Sequence, residues 1–182
     1  MKEKLKLEKL NKEIGKCKKC PLWETRKNVV PGEGKANAKI MVLGQAPGAE
    51  EDKTGRPFIG RAGKFLTQLL NIAGLERENV FITSPVKCFP PKNRKPSKEE
   101  IKFCRPYLEK QIKIMSPKKF ILLGEVAFSI FFSGEKLKDY RGKVIRKNGR
   151  EYFIVYHPAA GIRFQKFKKI LEKDFKKISK YF

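Results

Sequence analysis

KIMVLGQAPGAEEDKTGRPF occupies residues 39–58, and its reading sets the fold. KIMVLG (39–44) is a short apolar run that stops at a glycine, the pattern of a strand buried on both faces. A Gly-, Pro- and acid-rich loop follows, and then the period of a helix over 61–73. The same sequence of events recurs three times. NVFITS (79–84) precedes a Pro-rich loop and a helix opening at Ser97, with Glu100 three residues on as a capping box. KFILLG (119–124) precedes EVAFSIFF (125–132), and YFIVYH (152–157) precedes a basic helix running to Tyr181. Alternating strands and helices predict a parallel sheet flanked by helices. Ahead of it, residues 2–15 read as a charged helix ended by Gly15, with a loop over 21–37. The 182 residues fit one domain, 1–182.

Ligands in open α/β sheets bind outside the carboxyl ends of the strands. The unusual loops lie there: 44–60, 84–96, 124–125 and 157–163. In the first, Gly44, Gly48 and Gly55 permit close backbone approach, Pro47 stiffens the turn, and Glu50, Glu51 and Asp52 are candidate bases or water holders. It is neither a Walker A loop nor G-x-G-x-x-G. His157, the one histidine of the chain, ends the last strand before Pro158, which places it at the same edge.

Lys and Arg number 43 against 19 Asp and Glu, a formal charge of +24. Such an excess repels itself in the folded state and points to an anionic partner, DNA or RNA first. No apolar run approaches a membrane span and the N-terminus is not a secretory signal, so a cytoplasmic, membrane-free protein is expected.

Cys17, Cys20, Cys88 and Cys104 are the only cysteines. Two disulfides would suit a secreted domain. Four thiolates also suit zinc, usually as two close pairs, or an iron–sulfur cluster. Cys88 and Cys104, sixteen positions apart, are loose for a zinc ribbon. Spacing favours a metal and leaves zinc and iron–sulfur open.

CKKCPL, GQAPGAEEDKTGRPFIGRAG, VKCFPPKNRKPSKEE, the cysteine at 104 and YHPAAGIR, in this order, make the chain resemble the family-four uracil-DNA glycosylases, the thermostable iron–sulfur type of the uracil-DNA glycosylase superfamily. The resemblance spans nearly the whole chain. It implies a three-layer α/β fold with a four-stranded parallel sheet between helices. It also implies a structural 4Fe-4S cluster on Cys17, Cys20, Cys88 and Cys104 that clamps the flanking basic segments into a DNA-facing surface. The activity it implies is base-excision repair: uracil is flipped out of single- or double-stranded DNA and its N-glycosidic bond is hydrolysed, leaving an abasic site. A monomer of prokaryotic, intracellular type is the corresponding expectation.

The resemblance also implies roles. Phe58 matches the aromatic that stacks on the extruded base, and Glu51 an acidic residue near it. His157 matches the residue that hydrogen-bonds a uracil carbonyl and stabilises the departing anion, with backbone N–H groups of the first loop, from Gly44 onward, sharing that charge. Ile162, Arg163 and Phe164 follow His157 at the DNA face, and one of them is expected to fill the hole left in the base stack.

Two positions depart from the family pattern. Gln45 stands where the family carries Glu, and an amide orients a water without accepting its proton. Ser84 stands where the family has Asn, and a hydroxyl reads a base edge less selectively than an amide. Together they leave two further readings: a glycosylase that also takes hypoxanthine or xanthine, and a weakly active protein that binds uracil-containing DNA.

Overall fold

A computed structural model describes residues 2–181. Helices α1 (Lys2–Gly15) and α2 (Leu22–Thr25) precede strand β1 (Ile40–Leu43). Then come α3 (Ala49–Thr54), α4 (Arg61–Ile72), β2 (Phe81–Thr83), α5 (Lys98–Met115) and β3 (Lys119–Leu123). The chain ends with α6 (Gly124–Ser129), α7 (Leu137–Tyr140), β4 (Val144–Lys147), β5 (Arg150–Val155), α8 (Pro158–Arg163) and α9 (Gln165–Ile178).

The sheet order is β2-β1-β3-β5-β4. The four expected strands are all there and mutually parallel, with Val42 opposite Ile82 and Ile121, and Ile121 opposite Phe153. Period-two alternation then sorts their side chains to two faces. Met41, Leu43, Phe120, Leu122, Tyr152 and Ile154 pack with Leu7 of α1 and with Leu108 and Ile112 of α5. Val42, Ile82, Ile121, Leu123, Phe153 and Val155 pack with α4 and with Leu171, Phe175 and Ile178 of α9. Both faces are covered, so these strands read as continuous apolar runs. The result is the expected three-layer arrangement.

The structure adds a fifth strand that the reading lacked. β4 pairs antiparallel with β5 at the sheet edge, with Val144 opposite Phe153. Arg146 and Lys147 face solvent, which hides the strand from a search for apolar runs. Its turn carries a signal nonetheless: Asn148 and Gly149 both have positive φ, 50° and 69°, the pair that a tight two-residue hairpin requires.

Three segments read as loops contain α-helix. LWET folds as α2, AEEDKT as α3, and PAAGIR as α8, which breaks from α9 at Phe164. All are short turns without an apolar stripe. The capping box at Ser97 is present: Glu100 N–H donates to Ser97 Oγ at 3.1 Å and Ser97 N–H to Glu100 Oε2 at 2.7 Å.

Candidate functional site

Gly44, Ser84, Gly124 and His157 each immediately follow a parallel strand or lie within two residues of its end. The sheet therefore delivers them to one edge. A cavity of about 550 Å³ opens there, walled by Gln45, Glu51, Phe58, Ser84, Asn93 and His157 among others. Its size lies within the range of about 300–1,000 Å³ that small-molecule sites occupy.

Phe58 is the cavity's buried aromatic, 8% exposed, in a backbone conformation with φ 50° that a bulky residue adopts only under constraint. The constraints are identifiable. A Cβ on Gly44 would fall 2.5 Å from the Phe58 ring, and a Cβ on Gly63 1.8 Å from its carbonyl oxygen, so the ring requires the first glycine and the backbone of Phe58 the second. Arg77 Nη2 donates to the Pro57 carbonyl at 2.6 Å. Glu51 Oε1 accepts from the N–H groups of Ile59 and Gly60, each at 2.9 Å.

Glu51 is thereby committed. Its other oxygen accepts from Gly48 N–H at 3.0 Å, so the carboxylate staples both sides of the first loop through three backbone donors. Asp52 is 5% exposed and its carboxylate accepts from Lys27 N–H, away from the cavity. Two of the loop's amides are also occupied, Gly44 N–H on the Thr83 carbonyl and Gly48 N–H on Glu51.

His157 caps α8. Its Nδ1 accepts from Ala159 N–H at 3.2 Å, which leaves Nε2 to carry the proton of a neutral ring. Burial pushes its pKa down from 6.5 to about 4, with Glu51 opposing weakly. The imidazole is held as a neutral, single-tautomer donor. Its ring lies 5.8 Å from that of Phe58, the planes inclined by 31°.

Gln45 and Ser84 both wall the cavity, and Ser84 is 4% exposed. Gly124 brings β3 against His157, since a Cβ there would stand 3.0 Å from the histidine Cβ. Beyond the cavity, Ile162 packs onto the α4–α9 core, Arg163 is exposed, and Phe164 is 52% exposed.

The four cysteines are free thiols from three separate segments that meet beside α1 and α5. Cys88 and Cys104 pack with Leu10, Ile14, Leu22, Val86 and Tyr107, and Cys17 and Cys20 border the same cluster. Donors surround the sulfurs. Arg26 Nη1 reaches Cys88 Sγ at 3.2 Å and Lys87 N–H reaches Cys104 Sγ at 3.3 Å. Burial raises Cys20 and Cys88 and pushes Cys104 up to about 12. Such thiols ionise when a bound cation compensates. Among the described residues no group of three or more His, Cys, Asp or Glu is gathered closely enough for one metal ion. The donor set is sulfur alone, with N–H groups aimed at it, a chemistry that fits a soft metal.

Sequence reasoning missed Arg77, Asn93 and Lys87. Arg77 sits in no motif, and Asn93 lies within VKCFPPKNRKPSKEE without a role assigned to it. Asn93 reaches the cavity because Lys92 and Asn93 both have positive φ, 58° and 55°, and because Arg94 anchors the turn on Glu100 at 2.6 and 2.9 Å. Lys87 stands in the same motif beside Cys88, where sequence reading saw only a basic residue.

The family model described as the Uracil DNA glycosylase superfamily matches residues 31–180. The Type-4 uracil-DNA glycosylase of Sulfurisphaera tokodaii is 48% identical over 184 residues, covering 94% of this chain and 83% of that protein. That of Archaeoglobus fulgidus is 40% identical, covering 94% and 91%. A Type-5 uracil-DNA glycosylase of Pyrobaculum aerophilum is more distant at 34%, covering 75% and 68%. No helix among the described residues is long and apolar enough to cross a membrane. With strand-end geometry and sequence in agreement over most of its length, the chain belongs to the uracil DNA glycosylase superfamily and, within it, to the type-4 group.

Proposed function

We propose that this protein excises uracil from DNA as a monofunctional glycosylase, in the first step of base-excision repair. The observation that carries the reading is the pairing of a buried, constrained Phe58 with a neutral, tautomer-locked His157 across one cavity. A nucleotide swung out of the stack loses its stacking energy, and the Phe58 ring returns part of it. Nε2–H of His157 donates to a uracil carbonyl. As the bond from the sugar carbon to N1 breaks, its electron pair passes into the uracil ring, and the hydrogen bond strengthens on the oxygen that gains charge. Water adds to the sugar cation and loses a proton to solvent, and the uracil anion takes up a proton from solvent, giving uracil and an abasic site.

Gln45 orients that water and takes no proton from it. Glu51 acts as the staple of the loop, since its oxygens are occupied by backbone donors. Ser84 meets the edge of the base with a rotatable hydroxyl, which suits uracil and widens the range toward hypoxanthine and xanthine. Arg163 and Phe164 are the residues of the last loop free to enter the duplex, Ile162 being engaged with the core. Basic residues of 92–98 and of α9 supply phosphate contacts.

Cys17, Cys20, Cys88 and Cys104 would hold a 4Fe-4S cluster, which supplies a covalent tie among three chain segments and takes no part in bond cleavage. We take the protein to act as a cytoplasmic monomer, each chain carrying a complete cavity.

Because Gln45 stands where the family carries Glu and Glu51 is held by three backbone donors, a uracil-DNA binder of low turnover is the second reading. Incubating single- and double-stranded uracil oligonucleotides with the protein, then treating with alkali, separates the two. Strand breakage at the uracil supports excision, and a stable complex on uncleaved DNA supports binding alone.

A further inference from the structure

Lys87 is 1% exposed, yet none of its three acceptors is a carboxylate. Its Nζ donates to Thr83 Oγ1 at 2.6 Å, to the Ser84 carbonyl at 2.7 Å and to Gln111 Oε1 at 2.7 Å. All three ammonium protons are used. Burying a cation is costly even when it is fully hydrogen-bonded, and a Met would fill this space without that cost. The arrangement of its partners shows what the ammonium accomplishes.

Thr83 and Ser84 are the carboxyl end of β2, and Ser84 enters the base cavity. Gln111 belongs to α5, and its Nε2 donates to the Pro31 carbonyl at 2.8 Å, where Thr83 Oγ1 also donates at 2.7 Å. Val30, beside it, is a wall of the cavity and donates its N–H to the Lys87 carbonyl at 2.8 Å. The Lys87 N–H donates to Cys104 Sγ, and Cys88 is the next residue. One side chain and its own peptide groups thus touch the cysteine centre, α5 and two walls of the cavity.

We propose that Lys87 is a positioning residue of the base cavity, pinning the Ser84 strand end and the Val30–Pro31 wall to the cysteine centre. This rests on the reading that Ser84 meets the base. Without the ammonium, the Ser84–Lys87 turn and the Pro31 segment lose their common anchor. The centre remains, but its rigidity no longer reaches the base.

The test compares the holoprotein with Lys87→Met and with Gln111→Met, which removes one acceptor from outside the cavity. Four quantities are read: iron and sulfide content, affinity for uracil DNA, single-turnover excision at saturating protein, and amide hydrogen exchange over 83–88 and at Val30, whose N–H bonds the Lys87 carbonyl. The expected result is retained iron and DNA affinity, faster exchange at both places, and a chemical step slowed by about 10- to 100-fold in Lys87→Met, with a smaller loss in Gln111→Met. Retained iron with wild-type exchange and wild-type rate overturns the proposal. If Lys87→Met fails to fold or to hold iron, Gln111→Met decides in the same terms. If the wild-type protein excises no uracil, the functional reading fails by itself. Hydrogen exchange still decides the anchoring role, since unchanged protection in the variants contradicts it.

Discussion

The rings of Phe58 and His157, ninety-nine residues apart in sequence, stand 5.8 Å apart across one cavity at an angle of 31°. Neither could take that place alone. Phe58, at positive φ, fits only because Gly44 and Gly63 carry no Cβ, and His157 is turned by the Ala159 N–H on its Nδ1. The pairing offers a base a face on one side and a donor at its edge.

Phe58→Leu keeps an apolar side chain and removes the flat face. Stacking on an aromatic contributes about 1–3 kcal/mol per base, so excision at subsaturating DNA should fall by about 10- to 100-fold. The melting temperature should change little. A loss of stability with unchanged excision would reassign Phe58 to the core.

His157→Ala removes the donor to the leaving uracil. Loss of one such donor costs about 10²–10³ in rate, to be read in single-turnover assays with DNA binding retained. The pH dependence follows from the same ring. With its pKa pushed down to about 4, His157 stays neutral at all higher pH. The rate should therefore show no His titration near 6.5 and should fall only as pH passes below about 4. Stability shifts in the same window. Between 6.5 and about 4 the unfolded chain takes up a proton that the native ring refuses, so the native state loses stability as pH falls through that interval. Urea melts of wild type and His157→Ala across it should show a shallower pH slope for the variant.

Glu51→Gln distinguishes a staple from a base. The amide replaces a carboxylate that accepts from Gly48, Ile59 and Gly60, and its own N–H₂ faces other donors. Charge-assisted hydrogen bonds contribute about 1.5–3 kcal/mol, so a stability loss of about 2–3 kcal/mol in urea melts is expected, with excision reduced in proportion to the loosened loop. An unperturbed stability with abolished excision would make Glu51 the base after all.

The strands were legible in sequence because their side chains are buried on both faces: every residue of Met41–Leu43 and Ile121–Leu123 is fully enclosed. Strand ends then located Gly44, Ser84 and His157 without reference to any fold. β4 was lost because half of it faces water, although Asn148-Gly149 marked its turn. The helical state of 49–54 was hidden in an acidic run with no apolar stripe. Arg77 holds the cavity wall through a guanidinium on the Pro57 carbonyl, and Asn93 reaches the cavity through two positive-φ residues; neither feature leaves a spacing that sequence reading detects. The commitment of Glu51 to three amides is likewise a property of the folded loop.

Ser84→Asn supplies an amide at the base edge. If Ser84 reads that edge, the variant should favour uracil over hypoxanthine and xanthine more strongly than wild type, measured as relative single-turnover rates on matched oligonucleotides. An unchanged ratio would remove Ser84 from base selection.

Release of the free base is the decisive measurement. When the holoprotein is mixed in excess with an oligonucleotide bearing one uracil, free uracil identified by mass should appear in step with alkali-labile abasic sites. Matched thymine and cytosine strands should stay intact. Uracil DNA that is bound but neither cleaved nor emptied of its base would contradict the account of Phe58 and His157 as an excising pair.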